Sequence, residues 1–215
     1  MCSEGKDRGI MKIYGLGHPR SGNTWLQYIC KCLGVSDYVK AHGGANFPGA
    51  AGIENWNTEY SMILVIRDYK EAILRHQLFE EEDITPEQVA KIVLDAEYIE
   101  GLQIYDDWPN KKIVVYYEDL ILYPRVTILQ IANFIGCGRL ICQNFVSDLE
   151  EHKIKSLQIY TSTLGPSVTQ GNKIDHHKFR LSEKERTEVD NLVKINAPHL
   201  YNKYLTRYNT GETTC

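Results

Sequence analysis

Apolar residues along this chain switch between two periodicities. Met11–Leu16, Tyr38–His42, Met62–Ile66 and Ile113–Tyr117 are short apolar runs, and MILVI and IVVYY among them are unbroken and partly β-branched, as strands buried on both faces of a parallel sheet are. Between the runs the spacing becomes helical. Trp25, Leu26, Ile29, Cys30 and Leu33 predict a helix from Thr24 to the stop at Gly34, and an amphipathic helix is predicted after Arg67-Asp68, to about Phe79. Val89, Ile92, Val93, Ala96, Ile99 and Leu102 share one face of a long helix, opened by Thr85-Pro86-Glu87-Gln88 as N-cap, first-turn proline and capping glutamine. Pro124 opens another helix, ended by Gly136. Residues 141 to about 160 read as helical, 161–179 as a long loop, and Ser182-Glu183-Lys184-Glu185 as the capping box of a last helix. Alternating βα units predict an α/β fold: a single-domain three-layer sandwich over residues 1–215, its central parallel sheet flanked by helices, with 1–10 as a flexible start and 208–215 as a tail.

The stretch Met11–Leu33 carries the clearest chemistry. A strand, a glycine-bearing loop and a helix in that order make an anion site, because loop amides and the helix N-terminus both present N–H donors and partial positive charge. Gly17 and Gly22 permit close backbone approach, Ser21 and Thr24 add hydroxyls, and Arg20 adds a fixed charge with a planar fork of donors. The spacing Gly17-x-x-x-x-Gly22-Asn23-Thr24 is that of a nucleotide P-loop, so the fold is expected to be P-loop nucleoside-kinase-like. The lysine position holds Asn23, however, and the cation sits at Arg20. Pro19-Arg20-Ser21-Gly22-Asn23-Thr24-Trp25 resembles the phosphosulfate loop of the sulfotransferases, usually Pro-Lys/Arg-Ser-Gly-Thr-Thr-Trp, and differs only at Asn23.

Three further stretches are similar to the cytosolic-type members of that family. Lys40-Ala41-His42 looks like Lys-Thr-His, whose histidine is the general base. Val65-Ile66-Arg67-Asp68 resembles the segment whose arginine holds the cofactor's 3′-phosphate. Tyr117-Glu118-Asp119-Leu120, with Pro124 and Ile131–Gly136, resembles Tyr-Glu-Asp-Leu…Pro…Ile-x-x-Phe-Leu-Gly. The resemblance implies transfer of a sulfuryl group from 3′-phosphoadenosine 5′-phosphosulfate to a hydroxyl or amine of a small-molecule acceptor, without a metal. It implies His42, Arg20 and Lys40 as catalytic residues, and Pro19 to Trp25, Arg67, Arg75, Gly171 and Lys173 as cofactor contacts. Glu118 and Asp119 are expected to be structural. Two departures stand out. Arg75 occupies the position of a family serine, and Thr169-Gln170-Gly171-Asn172-Lys173-Ile174 replaces Arg-Lys-Gly-x-x-Gly. An Arg67–Arg75 clamp on the 3′-phosphate and an Arg75–Glu71 surface pair are the two readings of Arg75.

Composition narrows the picture without changing it. The 215 residues are 43% apolar and 24% charged, with net charge −4, which argues against a nucleic-acid coat and confines any anion site to a local pocket. Six cysteines lack zinc-site spacing, and no apolar run reaches a membrane span, so a cytoplasmic protein with reduced thiols is expected. Gly43–Gly52 holds four glycines and a proline and reads as a mobile acceptor loop, with Phe47 and Trp56 as possible walls. Two rivals stay open: a nucleotide kinase, which needs a strand-end acid such as Asp68 to hold Mg²⁺, and a non-catalytic binding module of the same fold.

Overall fold

A computed structural model describes residues 11–42, 57–77, 85–95, 97–155 and 181–209. Four strands, β1 (Lys12–Leu16), β2 (Asp37–Ala41), β3 (Ser61–Ile66) and β4 (Lys112–Tyr116), form one parallel sheet in the order β2-β1-β3-β4. The chain runs outward from β1 to β2 and then crosses to the other side of β1 for β3. Ligands of open α/β sheets bind at the carboxyl ends of strands beside such a reversal.

The strands' period of two divides the core into two layers. Tyr14, Leu16, Met62, Leu64 and Ile66 pack on one face against α2 (Tyr69–Gln77), α3 (Pro86–Asp95), α4 (Glu97–Asp107) and α8 (Glu183–Asn196). Ile13, Ile63, Val65 and Val115 pack on the other against α1 (Asn23–Cys32), α5 (Tyr117–Leu122), α6 (Pro124–Ile135) and α7 (Arg139–Ser147). Every residue of β3 is buried, as its unbroken apolar run requires in a central strand covered on both faces. The three-layer α/β architecture expected from the alternating periodicities is therefore the one formed.

Helix ends follow local chemistry. The Thr85 hydroxyl accepts from Gln88 N (3.3 Å) while Gln88 Oε1 accepts from Thr85 N (2.7 Å). Ser182 and Glu185 close the same reciprocal box on α8, and α6 ends on Gly136 in the left-handed region (φ 71°).

The departures are local. The stripe expected as one long helix falls on two described segments, α3 and α4, on either side of residue 96. Strand β4 stops at Tyr116 and Tyr117 already belongs to α5, where a strand end and loop were expected. The stretch beginning at 141 resolves into α7 and a helical turn over 149–155, and the loop expected over 161–179 lies outside the described residues. Tyr208, expected to open a tail, is instead buried at 9% exposure in a short helical turn, Thr206–Tyr208.

Candidate active site

Strand register sets the site. Leu16 pairs with Ala41 and with Leu64, and Ile66 pairs with Tyr116, so the strands end along one edge of the sheet. The residues that follow β1, β2, β3 and β4 are Gly17, His42, Arg67 and Tyr117.

Asn23 and His42 pin the first two strand ends together. The Gly17 amide donates to Ala41 O (3.2 Å), and Asn23 Nδ2 donates to both Gly17 O (3.2 Å) and Ala41 O (2.9 Å). Asn23 is buried, so the one residue that departs from the phosphosulfate loop pattern ties the base of that loop to β2. His42 Nδ1 lies 2.8 Å from Gly17 O. A carbonyl only accepts, so Nδ1 carries the proton and the neutral ring keeps its lone pair on Nε2. A Cβ on Gly17 would stand 2.9 Å from Val65 O, so no side chain fits there.

The loop then turns tightly. Ser21 N donates to His18 O (3.1 Å), with Pro19 and Arg20 as central residues. Arg20 has φ 70°, the positive value that a type II turn needs at its third position and that glycine normally supplies. Holding arginine there costs on the order of 1–2 kcal/mol. Gly22 (φ 94°) caps α1, and a Cβ on it would meet the Tyr117 ring at 2.4 Å.

Helix α1 begins without a side-chain cap and without an acidic residue in its first turn. Its N-terminal amides therefore keep their positive field, which favours an anion. Lys40, half-buried at the end of β2, donates from Nζ to Thr24 Oγ1 (3.0 Å) in that first turn. Burial first, and then the Arg20 guanidinium, hold the Lys40 ammonium below the ordinary lysine range. The Ser21 hydroxyl is fully buried and makes no hydrogen bond among the described residues. Crowded cations, an uncapped helix start and an orphaned buried hydroxyl together fit a phosphate-type anion.

On the other side of the loop, Arg67 donates from Nη1 to Arg20 O (3.0 Å), and its guanidinium lies 4.5 Å from the Tyr117 ring centroid. Tyr98 donates its hydroxyl to Arg67 O (2.7 Å). Trp25 stacks on Tyr28 at 5.7 Å on the helix side. The structure thus brings together Pro19 to Trp25, Lys40, His42 and Arg67. Arg75 lies on α2 and its side chain is not among those described; Gly171 and Lys173 lie outside the described residues.

Sequence reasoning missed Tyr117 and Tyr98, which shape the arginine's surroundings. Tyr117 stood inside a quoted motif, whereas nothing local marks Tyr98. Glu118 and Asp119 hold the scaffold. Glu118 Oε1 accepts from Asp68 N (3.1 Å) and Oε2 from the Tyr208 hydroxyl (2.6 Å), while Asp119 takes Arg207 through both oxygens (2.9 and 3.0 Å).

No family model matches the chain, and no curated protein matches it. Among solved structures, the mouse sulfotransferase SULT7A1 complexed with PAP is similar over 83% of this chain and 87% of its own length, with a TM-score of 0.50 and 10% identity. That likeness establishes a shared fold: a parallel-sheet, sulfotransferase-like P-loop architecture. No helix among the described residues is long and apolar enough to cross a membrane.

Proposed function

We propose that this protein is a sulfotransferase that uses 3′-phosphoadenosine 5′-phosphosulfate and a small-molecule hydroxyl or amine acceptor. The observation that carries the reading is the convergence of Arg20, Lys40, His42 and the uncapped start of α1 on one edge of a sulfotransferase-like sheet. The neighbour's complex with PAP supports a nucleotide of this type.

The loop amides of Arg20 and of residues 22–25, the Ser21 and Thr24 hydroxyls, Arg20 and Lys40 would hold the donor's phosphosulfate end, and Arg67 its 3′-phosphate. Arg75 is proposed to share that phosphate. When bound, the donor supplies the sulfuryl group and a phosphate leaving group. His42, with Nδ1 committed to Gly17 O, accepts the acceptor's proton at Nε2 as the acceptor attacks. Arg20, Lys40 and the α1 N-terminus stabilise negative charge that develops beside them. Arg20 does so without proton transfer, because guanidinium does not deprotonate in proteins.

The kinase reading requires a strand-end carboxylate for Mg²⁺. Asp68 Oδ1 instead accepts from Lys70 N (3.0 Å) and Oδ2 pairs with Arg186 (3.4 Å), which counts against that role. The binding-module reading predicts product-nucleotide affinity without turnover.

The test is transfer from sulfur-labelled donor to panels of alcohols, phenols, amines and sugars, with and without excess chelator. Chelator-resistant labelling of one acceptor class is expected. Phosphoryl transfer from ATP that needs Mg²⁺ would replace this reading with the kinase one.

A further inference from the structure

His18 opens the tight turn of the loop after β1, is buried at 5% exposure, and has no part in the chemistry assigned above. Its Nδ1 lies 2.7 Å from Pro19 O. A carbonyl only accepts, so Nδ1 carries the proton and donates it. The ring also packs beside Tyr98 of α4, with centroids 5.5 Å apart.

The turn runs from His18 to Ser21 and is closed by Ser21 N donating to His18 O (3.1 Å). Type I and type II turns share that closure and differ by roughly half a rotation of the central peptide, here Pro19–Arg20. A type I turn would give Arg20 a φ of about −90°, which any L-residue adopts. The observed φ of 70° belongs to the flipped, type II form. A residue with a side chain keeps that value only where its surroundings over-determine it. Two bonds do so here. His18 holds Pro19 O, the carbonyl of the central peptide itself, and Arg67 Nη1 holds Arg20 O (3.0 Å). Tyr98 supports both donors, because its ring lies beside His18 and its hydroxyl donates to Arg67 O (2.7 Å). Burial first, and then the carboxylates of Asp68 and Glu118, push the Tyr98 hydroxyl well above its ordinary range, so it stays a donor.

The peptide bonds here are trans, so the C=O and N–H of one peptide point in opposite directions. Pro19 O is turned inward to the buried His18 ring, which leaves Arg20 N–H facing outward, to the half-exposed side of the loop. The opposite setting would present a carbonyl oxygen there, and a carbonyl repels an anion. We propose that His18, backed by Tyr98, is a positioning residue that fixes the Pro19–Arg20 peptide with its N–H toward the bound phosphosulfate anion. The proposal rests on the reading of this edge as the donor site.

The test is titration of the full chain with adenosine 3′,5′-bisphosphate and, separately, with inorganic sulfate, followed at the backbone amides by heteronuclear NMR. Circular dichroism confirms folding of each variant. In wild type the Arg20 amide proton is expected to move downfield with both anions. His18→Leu keeps the branching at Cγ without a donor; it should weaken both anions roughly tenfold and abolish the Arg20 response while Gly22 still responds. His18→Asn places an N–H donor on Cγ, as histidine does, and should restore both the Arg20 response and an affinity within about threefold of wild type. An Asn variant as weak as the Leu one overturns the proposal. So does a Leu variant that keeps the Arg20 response, or a wild type whose Arg20 amide answers neither anion. A His18-dependent response to sulfate, with no binding of the bisphosphate, supports the positioning role and overturns the nucleotide reading instead.

Discussion

Two sets of cations flank the sheet's carboxyl edge, and they bond different oxygens. In the C-terminal scaffold the partners are carboxylates. Buried Lys70 reaches Asp190 (2.6 Å), Arg207 takes Asp119 through two bonds, and Arg186 meets Asp68 and Glu71. At the loop edge the partners are neutral. Lys40 reaches the Thr24 hydroxyl and Arg67 a backbone carbonyl. A cation matched by a carboxylate is compensated within the fold. A partly buried cation that touches only neutral oxygens keeps its field for something else, and a phosphate or sulfate supplies the missing charge. The two regions meet at Asp68 and Glu118, so the paired set holds the strand end from which the other set projects.

The largest effect that separates the regions is catalytic. His42→Ala is expected to lower sulfuryl-transfer turnover by roughly 10²–10⁴-fold while affinity for adenosine 3′,5′-bisphosphate changes little. Unchanged turnover in steady-state assays removes His42 as the base. The scaffold should respond in stability. Lys70→Met leaves Asp190 buried without its ammonium partner and should cost about 3–5 kcal/mol in denaturant unfolding. A loss below 1 kcal/mol would show that the remaining partners of Asp190, the Tyr69 hydroxyl among them, satisfy it.

A smaller effect follows from Lys40, whose pKa is lowered by burial and by Arg20. A bound anion favours the charged ammonium, so binding raises that pKa and takes up a proton. Affinity for adenosine 3′,5′-bisphosphate should therefore fall as pH rises through the alkaline range below the ordinary lysine value of 10.5. Lys40→Arg should flatten the profile. A flat profile in wild type separates Lys40 from the anion. The smallest effect is at the strained turn. Arg20→Gly relieves the positive φ and should raise stability by about 1 kcal/mol while weakening the bisphosphate. Loss of stability would mean the Arg20 side chain is part of the scaffold.

These regions differed in how far the sequence reveals them. Strands such as MILVI declare themselves because burial on both faces leaves no polar position, and Thr85 and Ser182 mark helix starts through chemistry three residues long. The loop at Gly17–Trp25 was legible because its donors are contiguous. The scaffold was not, because its bonds join residues far apart in the chain, as Glu118 to Tyr208 and Lys70 to Asp190 do. Lys70 is fully buried, and its partner Asp190 lies 120 positions away. The α5 helix hid because Tyr117 extends the apolar run of β4 and no side-chain cap marks the helix start, and the left-handed Arg20 hid because no glycine announces it.

Calorimetric titration of adenosine 3′,5′-bisphosphate into wild type, Arg67→Met and Arg207→Met tests the contrast most directly. Both substitutions remove an arginine stacked on a tyrosine, one bonded to a carbonyl and one to a carboxylate. Arg67→Met is expected to weaken binding roughly 10–100-fold, the range for losing a hydrogen bond to a charged group. Arg207→Met is expected to leave affinity within about twofold of wild type. Equal losses in the two variants, or no binding by wild type, would contradict the assignment of the loop edge as the nucleotide site.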